Sequence, residues 1–447
     1  MTRKMKDSGI EWIGEIPEDW EIVKLKHLAL DRQAGVWGKD ESQDNLTNNK
    51  ICIRIADFDY PRMTIRKDRE FTLRNYTDNE ISKCSLQKGD ILIEKSGGGE
   101  KTPVGRTIIW NEDFQALYAN FIERLRVDKK QILPMFAQFC FFAFYGIGGS
   151  NLYFNQTTGI QNLNITGMMN DLRLPTPDLS TQIKIVDILD RKRNQIEIIK
   201  STIIKEIQTL EDYKKSVITE AVTKGLDKNV EMKDSGIEWI GEIPKHWNML
   251  RIKNLGICRN GLTYSPSDTC DEKDGTLVLR SSNVQNGKIV LNNNVYVKKR
   301  IPDYLMVKNG DILICSRNGS KELIGKNAII NNIDATFGAF MMIYRSKNPK
   351  LMYYVLNSNI FQYYLGTFFT STINQLTNSN FENMKIVWCD DINEQDQLVD
   401  YLDKKTKLID DSIATKQKQL ETLEEYKKSL IYEYVTGKKE VKDGEET

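Results

Sequence analysis

Histidine is nearly missing from this sequence, with two in 447 residues. Neither His27 nor His246 has a cysteine or second histidine at metal-ligand spacing, which argues against a metal centre and leaves each a structural role. The seven cysteines are odd in number and form no CxxC pair, a pattern that fits a reducing cytoplasm and not a disulfide framework. No sign of charge dominates: 63 Lys and Arg face 62 Asp and Glu, a net +1. The chain therefore does not coat nucleic acid through a general basic field. Long hydrophobic runs are absent as well. The most apolar one, ILPMFAQFCFFAFYGIGG from Ile132, is interrupted by Pro134, Gln138 and several glycines and is too short for a bilayer span. It reads as a buried helix, no signal peptide opens the chain, and no membrane association is expected. Catalytic signatures are missing too. GGGEKTPVGRT lacks the GK[ST] ending of a Walker A loop, there is no [DNS]PP[YFW] motif for amino-group methylation, and no carboxylate cluster with a lysine points to a nuclease. These absences predict no catalytic residue and no cofactor.

What is present is a phrase written twice. MKDSGIEWIGEIP occupies positions 5–17 and returns unchanged at 232–244. The offset of 227 persists at Trp20 and Trp247, is 226 where Arg54 meets Arg280, falls to 221 where KGDILI meets NGDILI, and to 213 where LEDYKKSVI meets LEEYKKSLI. Order is kept while length is lost in steps, which is the mark of two related modules with diverged surface loops. About 40% apolar content lets each half bury its own core.

Each half splits into a globular head and a helical tail. In the heads, β-rich runs such as ICIRI, DILIE, LVLR, KIVL and DILIC are punctuated by Gly, Asn and Asp and alternate with a few helical stretches, so each head is a mixed α and β domain. The apolar run from Ile132 and its counterpart LMYYVLNSNIFQYYLGTFF from Leu351 predict a core helix in both. The tails, 181–223 and 394–436, contain no Gly or Pro, and each predicts one long helix. In the first, Leu189, Ile196, Ile203, Leu210 and Val217 recur every seven residues, joined by Val186 and Ile207. In the second, Val399, Leu402, Ile409, Ile413, Leu420, Leu423 and Leu430 fall on a and d positions, interrupted by Thr406, Lys416 and Lys427. These are coiled-coil seams of roughly 60 to 65 Å. Paired antiparallel, they predict a caliper with a pseudo-two-fold axis that holds two reading heads a fixed distance apart. A long duplex with a turn every 34 to 36 Å is the kind of object such a device contacts twice.

Charge is uneven within the heads. Seven Lys or Arg stand against four Asp or Glu over 50–74, and ten against four over 245–300. The loops after the DILI strands read EKSGGGEKTPVGR and CSRNGSKELIGK, coupling glycines with basic and hydroxyl side chains. Glycine allows close backbone approach, Arg, Asn and Ser read base edges, and Lys takes phosphate. The candidate DNA contacts are Arg54, Lys95, Ser96, Lys101, Arg106, Arg280, Ser316, Arg317, Asn318 and Lys321, with Gln161 and Gln375 added from QTTGIQNLN and TSTINQLTN because amides suit adenine. The same residue types also build ordinary strand turns and helix caps.

The doubled β-rich domain and long helix, the phrase GIEWIGEIPxxW, the GDILI strand, and helix openings and closings such as LSTQIKIVDILD and LEEYKKSLIYEYVTGK resemble the specificity subunit of type I restriction-modification enzymes. The resemblance covers nearly the whole chain. It implies a target recognition domain at 1–179, a central conserved helix at 180–228, a second recognition domain at 229–391, a distal conserved helix at 392–436 and a polar tail at 437–447. It further implies that each head reads one half of a split target in double-stranded DNA. In that family two S-adenosylmethionine-dependent methyltransferase subunits dock on the chain and restriction subunits join them. The chain departs from the pattern at WCDDINEQ, where a proline-rich lead like LPTPDLSTQ is usual, so the start of the second helix is the uncertain boundary. Two other readings remain open: a stand-alone DNA-modifying enzyme, which would turn over without partners, and a coiled-coil adaptor, which would show no salt-dependent, sequence-selective DNA affinity.

Overall fold

The computed structural model describes residues 3–157, 159–368 and 375–441. They form two compact units, Met1–Thr202 with Lys418–Thr447, and Ile203–Gln417. In the first, strands Thr107–Ile109, Ile91–Glu94, Ile122–Val127 and Ala29–Ala34 lie in that order in an antiparallel sheet. A second sheet orders Ala116–Tyr118, Asn49–Ile53 and Thr72–Asn75, its first pair parallel. In the other unit the main sheet runs Asn327–Ile329, Ile312–Cys315, Met341–Ser346, Gly256–Asn260. Beside it, Thr336–Phe337 again pairs parallel with Thr276–Leu279. The sequence repeat is thus a repeat of topology.

The GDILI motif has a local explanation. Gly89 and Gly310 turn the chain at φ +94° and +85°, which an L side chain resists. The next residue, Asp90 or Asp311, is buried. One carboxylate oxygen accepts the backbone N–H three residues back, from Gln87 or Lys308, at 2.8 Å. Arg126 and Arg345, on the neighbouring strands, then fork onto both oxygens at 2.6–2.9 Å, a bidentate geometry that fixes strand register as well as satisfying the charge.

The twice-written phrase is a two-stranded ribbon, Met5–Asp7 against Glu15–Pro17 and Met232–Asp234 against Glu242–Pro244. Its letters are set by the turn. Asp7 Oδ1 accepts from Gly9 N, Ser8 Oγ from Ile10 N, and Gly14 N donates to Ile10 O, at 2.9, 3.1 and 2.8 Å. The same three bonds recur at Asp234, Ser235 and Gly241, and both glycines of each copy take φ near +70°. Ile13 and Ile16 from the ribbon and Trp20 just after it pack into a core that includes Leu430, Ile431, Tyr434 and Val435. Ile240, Ile243 and Trp247 pack with Val217, Ile218, Ala221 and Val222. Each ribbon therefore clamps the C-terminal end of a long helix, the first that of Ile392–Val435 and the second that of Leu179–Lys224.

Those two helices contain 46 and 44 residues. Both start on an aspartate: Asp178 Oδ1 accepts from Thr181 N at 3.1 Å, and Asp391 Oδ1 from Asn393 N and Glu394 N at 2.8 and 3.3 Å, the usual N-cap satisfaction of orphan donors. The second helix thus begins at Ile392 without a proline-rich lead. The first, predicted over 181–223, ends at Lys224, where Gly225 adopts a left-handed cap at φ +74°. Within the first unit Lys427, 1% exposed, bonds Glu197 at 3.0 Å and Glu424 at 2.9 Å, and Lys200 pairs with Glu424. Within the second, Lys214 meets Asp410 at 2.7 Å and Lys416 meets Glu206 at 2.6 Å. Numbers rise along one helix as they fall along the other, so the pairing is antiparallel in both units. Leu189, Ile196, Ile203, Val217, Leu402, Ile409 and Leu430 are buried, and Leu210, Ile413, Leu420 and Leu423 half-buried. The two lysines that interrupt the seam, Lys416 and Lys427, each carry an ion pair across it.

One expectation is corrected. The run from Ile132 forms a single core helix, Pro134–Gly146, but its counterpart is two helices, Pro349–Leu356 and Asn359–Phe368. Asn357 breaks it: its side chain donates to Tyr353 O at 2.7 Å and Asn327 Oδ1 at 2.9 Å, an alternative to helical pairing that Asn offers and an aliphatic residue does not. The break aims Asn359 N at Thr219 Oγ1, 2.8 Å away on the long helix.

Candidate nucleic-acid interface

In the first head the loop 95–106 leaves the strand Ile91–Glu94 and is sewn to two other segments. Lys95 N and Ser96 N both donate to Phe121 O, at 2.8 and 3.3 Å, and Leu163 N donates to Lys95 O at 2.8 Å. Ser96 and Gly97 pair with Asn162 and Gln161, and Ser96 Oγ donates to Asn162 Oδ1 at 2.7 Å. Gln161 is buried, its Oε1 accepting Val104 N at 3.0 Å. A Cβ on Gly98 would sit 2.6 Å from Val104 N, so only glycine fits there. Arg106 forks onto Glu94, Nε at 2.8 Å and Nη2 at 2.9 Å, with Glu94 0% exposed. That carboxylate holds the guanidinium firmly protonated, and Arg106 ties the end of the loop to the strand Ile91–Glu94.

The second head repeats the stitching. Ser316 N and Arg317 N donate to Phe340 O at 3.0 and 3.1 Å, and Leu376 N donates to Ser316 O at 2.8 Å. Arg317 bridges Gln375, as Ser96 pairs with Asn162. Asn318 Nδ2 donates to Ser281 Oγ at 3.0 Å, beside Arg280, whose Nη2 reaches Asn293 O at 2.7 Å. Ser316 is buried. The guanidinium of Arg317 lies over the Phe340 ring, 5.3 Å from its centroid. The structure thus gathers Lys95, Ser96, Arg106 and Gln161 in one head, and Arg280, Ser316, Arg317, Asn318 and Gln375 in the other. Arg54 is bidentate on Asp57 at 3.2 and 3.1 Å, while Lys101 and Lys321 lie exposed along the loops. Thr158 and residues 370–374 of the two polar segments lie outside the described residues.

Sequence reasoning missed two groups. Phe121 and Phe340, whose carbonyl oxygens accept the backbone N–H groups of the loops, had no motif around them; only the alignment of the two heads reveals the pair. Gln182 and Gln395 sit in the first turn of each long helix. Gln182 Oε1 accepts Leu133 N at 2.8 Å while its Nε2 donates to Gln131 O and Pro177 O at 2.9 and 2.8 Å. Gln395 bonds Cys389 O at 2.7 Å and Asn348 at 2.8 Å. Each bolts a core helix of the head to the long helix. Their recurrence in TQIKI and EQDQL was the available signal.

Among the described residues no group of His, Cys, Asp or Glu is arranged to hold a metal, and no helix is long and apolar enough to cross a membrane. The family model for the type I restriction modification DNA specificity domain matches residues 17–209 and again 244–423. A Methanocaldococcus jannaschii protein assigned as the MjaX specificity subunit of a type I restriction enzyme is 26% identical over 442 residues, 96% of either chain. The EcoKI specificity subunit of Escherichia coli is 25% identical over 326 residues, covering 72% of this chain and 66% of its own. A chain solved in work on complex assembly and conformational transition of the type I R-M system shares the fold with a TM-score of 0.66 at 13% identity, covering 94% of this chain and 98% of that one. With two matched segments that each contain one of the stitched loops, the chain belongs to the type I restriction modification DNA specificity family.

Proposed function

We propose that this chain is the non-catalytic DNA-reading subunit of a type I restriction-modification complex, working in the cytoplasm, with heads 1–179 and 229–391 as target recognition domains. Each head reads one half of a split duplex target. The helices set the spacer and offer docking surfaces to two methyltransferase subunits, which restriction subunits join for cleavage. One observation carries the reading: both heads present the same backbone-stitched loop, rich in glycine, basic and hydroxyl groups, at the same place in the same sheet. Backbone bonds fix the loop's shape, and Lys95, Lys101, Arg317 and Lys321 along it meet phosphate and base edges. Arg106 and Gln161 support the loop from within.

The test is a map of methylated adenines in a host expressing this chain with its methyltransferase partner. A bipartite motif with a fixed spacer is expected. A short uninterrupted motif would refute division of labour between heads. Exchanging residues 245–385 for the matching segment of a relative should then change one half of the motif and leave the other, and a change in both halves would refute modular reading.

A further inference from the structure

Two exposed phenylalanines occupy the same place in the two heads. Phe121 is 52% exposed and Phe340 59%. Each is the third residue of a turn, 119–122 or 338–341, closed by Ile122 N donating to Ala119 O at 2.9 Å or Met341 N to Gly338 O at 2.8 Å. Each directly precedes the sheet strand, Ile122–Val127 or Met341–Ser346. Around them the heads have diverged: YANFIERLR in one stands where FGAFMMIYR stands in the other. A large apolar ring at a solvent-facing turn contributes nothing to the core. Two drifting copies have nevertheless both kept it, where Asn or Gly would suit the turn better.

Their surroundings are those of the reading loops. The backbone carbonyl of each ring's own residue is the acceptor that anchors the loop, through Lys95 and Ser96 in one head and Ser316 and Arg317 in the other. Any duplex that meets those loops therefore meets the ring as well. Arg317 already lies on the face of Phe340, so this ring accepts a flat cationic partner, and a base offers a comparable π face. Apolar rings at DNA-binding surfaces act by stacking on a base or by wedging into a base step.

We infer that Phe121 and Phe340 are paired stacking contacts, each placing its ring against a base of the half-site read by its own head. The inference rests on the DNA-reading function proposed above. Stacking strength implies that Phe121→Ala lowers affinity for the mapped target about ten- to hundred-fold, without changing the slope of affinity against salt, since no phosphate contact is removed. Phe340→Ala acts likewise on the other half.

The experiment uses the full chain assembled with its methyltransferase subunits. Duplexes carry 2-aminopurine at successive positions of one half-site. Wild-type binding should raise its fluorescence at one step, Phe121→Ala should abolish the rise even at saturating protein, and Phe121→Leu, which keeps apolar bulk without a π face, should abolish it too. Full affinity and fluorescence in both variants would overturn the inference while leaving the reading function intact. Wild-type signal with Leu but not Ala would also overturn it, in favour of simple apolar contact. If the wild-type complex itself showed no preference for its mapped target, the reading function would fall and this inference with it. Phe121 is exposed and outside the core, so thermal unfolding and methyltransferase assembly should be unchanged in its variants.

Discussion

At the scale of the residue, Arg106, one of the arginines most visible in the sequence, is paired within the protein. Arg106 neutralises Glu94, which has no exposed surface. Removing one partner of a buried pair strands the other in low dielectric, whereas removing both can be nearly neutral. Arg106→Ala should therefore lower stability by about 3 kcal/mol, and the double variant Arg106→Ala with Glu94→Leu should recover most of it, both read by denaturant unfolding. Failure of the double variant to recover would show that Arg106 acts by other means. Lys427 is the same case within the helices, 1% exposed between Glu197 and Glu424. The sequence marked it as a fault in a seam; the folded chain makes it a three-way junction.

At the scale of the element, the starts of the long helices carry testable chemistry. Hydrogen bonds from Ser180 and Thr181 hold the Asp178 carboxyl down at about 2. Its folded value lies below the ordinary carboxylate value of about 4, so the cap contributes fully above that pH and is lost as pH falls through about 2. Asp178→Ala should lower stability by about 1 kcal/mol at neutral pH. The difference from the wild type should shrink when unfolding is repeated near pH 3, and a difference independent of pH would rule out the cap as its cause. Gln182 follows in the same turn and satisfies three backbone groups with one amide. Gln182→Leu leaves Leu133 N unpaired, and a cost of about 2 kcal/mol, with faster amide exchange at the start of Pro134–Gly146, is expected. Unchanged exchange there would mean that the head holds this helix without the bolt.

At the scale of the whole molecule, the spacer model makes a geometric claim. Four residues inserted near Thr202 advance a helix by roughly 6 Å and turn it by about 400°, a net 40°, against about 3.4 Å and 34° for one base pair. A four-residue insertion is a stutter that heptad seams absorb by local unwinding. The neighbouring ion pairs, Lys200 with Glu424 and Lys416 with Glu206, have partners to hold each side in register. The expected outcome by methylation mapping is unchanged half-sites with a spacer longer by about one base pair. A two-residue insertion, turning the head about 200°, should abolish specific modification. An unchanged spacer in the four-residue variant would mean that the helices do not set the separation.

The sequence by itself determined the duplication, the β-rich heads and the two long helices with their seams, because period and punctuation are local properties written in consecutive residues. It also determined the ribbon, since Asp7, Ser8, Gly9 and Gly14 specify that turn through bonds spanning six residues or fewer. Tertiary structure alone decided which ends meet: nothing in the chain order says that the first ribbon clamps the end of Ile392–Val435. It decided that Arg106 and Gln161 face inward while Phe121 and Phe340 face solvent. It decided too that Asn357 splits a helix whose apolar spacing runs on unbroken. Arg106, Gln161 and Asn357 answer to partners distant in sequence, Glu94, Val104 and Asn327. A polar side chain goes where its hydrogen bonds are satisfied, and those partners exist only after the strands have paired.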